Sequence, residues 1–187
     1  VDDGVPFLKI KDIKTQKIDW DHVSKIPEAE HKELIKSGKP EKGDILLSKN
    51  GTIGITKIVD WTREVSHFVS LCLIKPDKKV ISSEFLCKIV GSGICLQQAN
   101  IRSKTGTVTN LHLEEIRKFS IPLPPLAEQK QIATILSRVD EKLETEREYR
   151  RKLKDLKKGL MQDLLTGQVR VTDLPDDLFE GGGIKTA

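Results

Sequence analysis

Apolar and polar residues alternate at Phe7, Leu8, Lys9, Ile10 and Lys11, a period of two that predicts a strand. Residues 27–36 change to a helix-compatible pattern that Gly38 and Pro40 close. A hairpin is expected next. Residues 44–48 (D-I-L-L-S) and 53–59 (I-G-I-T-K-I-V) flank Lys49, Asn50, Gly51 and Thr52, where Asn-Gly supplies the positive φ angles of a tight turn. Residues 66–74 (S-H-F-V-S-L-C-L-I) are β-branched and aromatic enough for a further strand, closed by Pro76. Residues 83–98 are helical in pattern but interrupted at Gly91-Ser92-Gly93, which predicts two short helices. Residues 119–123 (F-S-I-P-L) read as an edge strand, since Pro122 cannot donate to a central ladder. The fold class expected is α+β, a mixed-sheet domain over residues 1–125.

After Pro124-Pro125 the pattern changes. Residues 126–165 contain no proline and a single glycine, Gly159, and are dominated by strong helix formers. They predict one long, coiled-coil-forming α-helix of about 60 Å at 1.5 Å per residue, more than a domain this small can cover. The helical region is placed at residues 126–166, with Gly167 as its left-handed terminator and residues 167–187 as a Gly-rich acidic tail. Apolar positions run Ile132, Leu136, Val139 and Leu143, then Tyr149, Leu153, Leu156, Leu160 and Leu164, in the steps of three and four of a helix-pairing seam. Residues 144–152 (E-T-E-R-E-Y-R-R-K) form a charged waist between two apolar patches. The seam suits partner binding. A solvated helix lying on its own domain explains the period but not the excess length.

Hydrophobic residues at 37% and charged residues at 32% describe a soluble chain, with no apolar run near the roughly 20 residues that span a bilayer and no visible signal peptide. The cysteines, Cys72, Cys87 and Cys95, form no C-x-x-C arrangement and sit among apolar neighbours, so reduced thiols and a cytoplasmic setting are expected. The four histidines, His22, His31, His67 and His112, are too scattered to predict a metal site. Net charge is a modest +4, with the basic excess in the domain and the helix.

Catalytic patterns are lacking. No metal-binding carboxylate cluster with a nearby lysine follows Pro76-Asp77, no glycine-rich nucleotide loop is present, and the serines and histidines fall into no recognisable triad. No cofactor is expected. Two polar loops carry more promise. The hairpin tip offers Lys49, Asn50 and Thr52, with Lys57 on the strand that follows, and residues 100–110 (N-I-R-S-K-T-G-T-V-T-N) offer Arg102, Ser103, Lys104 and Thr105. Such groups bond phosphate oxygens and base edges. Ordinary turn chemistry explains either loop alone; with both in one basic domain, DNA contact stands level with that reading.

Residues 119–171, with F-S-I-P-L-P-P-L-A-E-Q-K-Q-I-A-T-I-L-S-R-V-D and then L-K-K-G-L-M-Q-D-L-L-T-G-Q-V-R-V, resemble the end of a target-recognition domain and the helical region of type I restriction-modification specificity subunits. G-V-P-F-L-K-I-K-D-I at 4–13 and G-D-I-L-L-S-K-N-G-T-I-G at 43–54 are similar to that family's recognition-domain landmarks. The resemblance implies a non-catalytic subunit that chooses the DNA sequence for methylation (M) subunits, which modify adenine, and restriction (R) subunits, which cut. It also implies a second specificity half. With one recognition domain and one helix, this sequence reads either as the C-terminal half of a whole subunit or as a half-subunit that homodimerises through the helix. The alternative reading is a coiled-coil adaptor without DNA specificity; a small nuclease using Asp44 or Asp77 ranks third.

Overall fold

The computed structural model describes residues 3–15, 17–103 and 110–170, in two compact units, Val1–Leu136 and Ser137–Ala187. Two three-stranded sheets organise the first. In one, β1 (Val5–Leu8) lies between β2 (Lys25–Ile26), antiparallel, and β5 (Ser66–His67), parallel. In the other, β3 (Ile45–Ser48) lies between β4 (Thr56–Ile58) and β6 (Leu71–Ile74), both antiparallel. This is the expected α+β class with a mixed sheet.

Alternation from Phe7 to Lys11 does not continue as one strand. The Asp12 carboxylate accepts the Lys9 N–H at 2.8 Å, and this local bond turns the chain into a short helix, α1 (Ile10–Ile13), whose Ile13 is buried. Residues 27–36 form the expected helix, α2 (Glu28–Leu34), followed by a 3₁₀ turn, Ile35–Ser37.

The hairpin forms, with Ile45 opposite Ile58 and Leu47 opposite Thr56. Its connection is wider than a tight Asn-Gly turn. Ser48 closes it: its N–H donates to the Ile55 carbonyl (2.8 Å), its carbonyl accepts from Gly54 (3.1 Å) and its hydroxyl from the Ile55 N–H (2.9 Å). Positive φ is confined to Gly51 (70°) and Gly54 (92°), so Asn50 does not adopt the conformation expected of it. At Gly54 a Cβ would also collide with the Leu96 side chain.

Strand β3 is buried along its whole length because it separates two cores. With a side-chain period of two, Leu46 points into a cluster with Leu8, Ile13, Val59 and Leu71, while Ile45 points into one with Phe85, Ile89, Cys95 and Ala133. A continuous D-I-L-L-S run is what such a two-faced strand requires.

Residues 66–74 are not one strand. Ser66–His67 joins the first sheet and Leu71–Ile74 the second, and between them the Leu71 N–H donates to the Phe68 carbonyl at 2.8 Å. The split lets one short segment serve both sheets. It is also pinned from below: His31, 1% exposed on α2, is hydrogen-bonded through Nδ1 to the buried Ser66 hydroxyl at 2.8 Å. Ser66→Ala should orphan that ring nitrogen and lower unfolding free energy by about 1–3 kcal/mol, read as a shift in urea midpoint.

Two short helices follow as expected, α3 (Ser83–Val90) and α4 (Gly93–Arg102). Ser82 caps α3, its hydroxyl accepting from Phe85 N–H at 3.2 Å, and the stripe Phe85, Leu86, Ile89 and Val90 is buried. After α5 (Leu113–Arg117), residues 119–123 form no strand. The Gln98 amide takes the place of a ladder neighbour, accepting from Ser120 N–H (2.9 Å) and donating to its carbonyl (2.8 Å).

The long helix, α6 (Leu126–Leu165), is continuous, and Gly167 ends it with φ 73°. Its first turns belong to the first unit: Gln129 and Ala133 are buried, and Ile132 packs against the second core. In the second unit Val139, Leu143, Tyr149, Leu153, Leu156 and Leu160 are exposed.

Candidate nucleic-acid interface

Three stretches far apart in sequence meet at the end of β3. The Lys49 N–H donates to the Ser70 carbonyl at 2.9 Å, and the Lys49 carbonyl accepts the Leu111 N–H at 2.9 Å. Asn50 and Asn110 form an antiparallel bridge. One residue's backbone therefore ties the hairpin tip, the turn at 68–70 and the stretch entering α5 into a single rim. Both polar loops singled out in the sequence end on it.

Among the expected contact residues, Lys49 and Asn50 are half-buried on this rim, with Lys49 Nζ donating to Asn50 Oδ1 at 3.4 Å, and Thr52 is exposed. Lys57 lies on β4 opposite Leu46, and its ammonium donates to the Thr15 carbonyl at 3.3 Å. Burial pushes its pKa below the ordinary lysine value, opposed by Asp60. A phosphate would have to draw Lys57 out of an existing contact.

The second loop begins later than expected. Arg102 is in the last turn of α4, because Cys95 and Ala99, one helical turn apart, hold that helix on the core. Its guanidinium donates to the Gln98 carbonyl (3.4 Å) and stands 3.8 Å from Glu115. Hydrogen bonding to Lys118 and the nearby positive charges hold the Glu115 carboxyl below its usual range. Ser103 caps α4, donating to the Ala99 carbonyl through its N–H (2.7 Å) and to the Asn100 carbonyl through its hydroxyl (3.3 Å). Lys104 and Thr105 lie outside the described residues. Glu115 sits on α5, which directly follows the Asn110 and Leu111 anchor, so the end of α4 is coupled to the same rim.

What borders this rim has no signature in the local residue pattern. Phe68 and Val69 are 44% and 63% exposed at its turn. Beside them opens a cavity of about 360 Å³ whose wall includes Lys49, His67, Val69 and Leu113. Burial raises the Cys72 thiol pKa, opposed by the charges of Lys49 and Arg117; each of these cations lines a cavity that Cys72 also borders. Such residues become visible only once β5 and β6 are known to part at Phe68.

The carboxylates considered for catalysis have structural partners. Asp44 is 5% exposed, accepts the Glu41 N–H at 2.9 Å and pairs with Lys75 at 2.8 Å; Asp77 accepts from Lys79 N–H at 3.0 Å. Among the described residues no group of three or more histidines, cysteines or acids is placed to hold a metal, and no helix is long and apolar enough to cross a membrane.

On the helix, Ile132 faces the core, whereas Leu136, Val139, Leu143, Tyr149, Leu153, Leu156 and Leu160 are 43–59% exposed and Leu164 is half-buried. Leu153, Leu156, Leu160, Met161 and Leu164 line one apolar groove.

Comparison with known proteins agrees with this architecture. A solved chain from the type I R-M system, in work on its complex assembly and conformational transition, is similar in fold, with TM-score 0.57 and 20% identity over 73% of this chain and 36% of that one. The HsdS subunit from Thermoanaerobacter tengcongensis has TM-score 0.50 and 22% identity over 72% of this chain and 36% of that one. In sequence, the putative type I restriction enzyme MjaX specificity subunit of Methanocaldococcus jannaschii is 30% identical over 171 residues, 87% of this chain and 39% of that protein. The MjaVIII specificity subunit of the same organism is 29% identical over 92% of this chain and 42% of its own length. The chain thus spans about two fifths of the curated relatives it matches. The model of the type I restriction modification DNA specificity domain matches residues 2–155, from β1 into the second apolar patch of α6, and the chain belongs to that family.

Proposed function

We propose that this chain is a non-catalytic subunit that selects the DNA sequence on which a type I restriction-modification complex acts, directing adenine methylation and restriction by its M and R partner subunits in the cytoplasm. The observation that supports this reading is the rim: the backbone of Lys49 and Asn50 at the hairpin tip is bonded to Ser70 and to Asn110 and Leu111, where the second polar loop ends, within a domain of the DNA specificity family. On this reading Lys49, Asn50, Thr52, Lys57, Arg102, Ser103, Lys104 and Thr105 are the residues that contact double-stranded DNA. Phosphate contacts set register and base-edge contacts set sequence. No cofactor is required of this subunit.

Leu136, Val139, Leu143, Tyr149, Leu153, Leu156, Leu160 and Leu164 pair with the helix of a second specificity half, which a second copy of this chain can supply. Ile132 serves the core instead.

Selection from a random duplex library by the assembled complex tests the reading. A defined site should emerge, and binding should fall steeply with salt through counterion release. Lys49→Ala should weaken binding to all sequences and reduce the log–log salt slope by about 1. Indistinguishable affinity for selected and random duplexes would overturn it.

A further inference from the structure

The turn at 68–70 presents two exposed apolar residues, Phe68 and Val69, on a backbone held by hydrogen bonds. The Phe68 N–H donates to the Leu8 carbonyl and its carbonyl accepts from Leu71, both at 2.8 Å. Its ring packs edge-on against Phe7, with centroids 5.9 Å apart. Ser70 is 8% exposed and its carbonyl receives the Lys49 N–H. Between these two fixed neighbours Val69 stands 63% exposed. A single exposed valine needs no explanation. Val69, however, shares its cavity with Leu113, 46% exposed, and with Lys49, and Cys72 on the same wall also borders a second cavity lined by Arg117. An apolar tip beside the Lys49 cation, sharing backbone hydrogen bonds with the hairpin loop, matches a ligand that is a polyanion outside and partly apolar within.

We propose that Val69 is a specificity-determining residue that reads thymine, its methyl groups seated against the thymine C5-methyl in the major groove. This rests on the DNA-reading function proposed above and deepens it. The chemistry selects the base. All four bases offer the major groove hydrogen-bonding groups that a valine cannot satisfy, but thymine alone adds beside its O4 acceptor a C5-methyl group whose burial against valine is favourable. Lys49, on the same rim, supplies the phosphate contact that fixes register. Rigidity matters because a tip already ordered loses little entropy on contact.

The test replaces thymine by deoxyuridine, which removes only the methyl group, at each thymine of the duplex selected by the full chain in its complex. At one or more positions the wild-type complex should lose about fourfold in affinity, the worth of one buried methyl. The Val69→Ser complex should bind thymine and deoxyuridine duplexes equally at that position while keeping the wild-type salt slope. If the selected site is bound specifically but no position responds to deoxyuridine, or Val69→Ser responds as the wild type does, the assignment of Val69 is overturned and the DNA-reading function stands. If no sequence is preferred to random duplex, both fall. A Val69→Ser complex that retains its full deoxyuridine response and loses a partner subunit instead would make this tip a protein contact and overturn the proposal.

Discussion

Gln129→Leu should lower the unfolding free energy of the domain by roughly 2–5 kcal/mol, among the largest effects of any single substitution in this chain. Gln129 is fully buried near the start of α6 and uses both ends of its amide. Its oxygen accepts the Ser82 N–H at 2.9 Å, and its nitrogen donates to the carbonyls of Val80 (3.1 Å) and Pro124 (2.8 Å). One side chain thus fastens the start of the long helix to the start of α3 and to the proline segment before it. Leucine is close in volume, so little cavity forms. The cost is the Ser82 N–H, buried and left without an acceptor, together with two carbonyls that lose their donor.

Gln129→Glu separates this account from simple packing. The carboxylate can still accept from Ser82, but it sets a charged oxygen against two carbonyls at a fully buried position. Burial raises the folded-state pKa of such a glutamate above its unfolded value. The variant should therefore lose stability as pH rises through that raised value and regain part of it as pH falls, while Gln129→Leu shows no such dependence. Urea unfolding of the two variants at pH 5 and pH 7.5 is sufficient; parallel behaviour would contradict the hydrogen-bonding role.

The other large effect is expected in assembly. Leu156 and Leu160 are 58% and 49% exposed in the groove on the second unit, so changing both to aspartate should leave the thermal midpoint of the separate chain almost unmoved. Pairing is different. Each leucine forfeits about 1.5–3 kcal/mol of apolar burial, and each aspartate would have to be desolvated against an apolar partner. Association through the helix should weaken by more than about 1,000-fold, which sedimentation velocity over a concentration series would register as loss of the associated species. Unchanged association would remove this groove from the pairing surface.

What could be read in the sequence follows the range of the interactions that decide each element. The long helix was legible because its causes are local: strong helix formers, no proline, a period of three and four, and a glycine at its end. The α3 and α4 boundary was legible because Gly91-Ser92-Gly93 interrupts the pattern. The parting of β5 from β6 was not, since Phe68, Val69 and Ser70 contain neither glycine nor proline and their turn is set by Leu8 and Lys49, distant in sequence. Residues 119–123 looked like an edge strand and have the right composition for one, but their neighbour is the Gln98 side chain. Gln129 stood in the quoted P-L-A-E-Q motif, yet its role depends on the arrival of residues 80 and 82. Of the candidate site, the residue types of both loops were legible. Their union through Asn50 and Asn110 was not, nor was the capture of Arg102 by Glu115.

The way the hairpin loop is closed bears on how such a protein changes its target. Ser48 and Gly54 carry the closing bonds, and Lys49 anchors the rim through its main chain alone. The side chains of residues 49, 50, 52 and 53 take no part in those closing bonds, and apart from Gly51 the tip should tolerate substitution without loss of the strands. On the function proposed above, foldability and target preference would be carried by different letters of one short segment, so a library randomised at those positions should yield mostly folded proteins and new preferences in some.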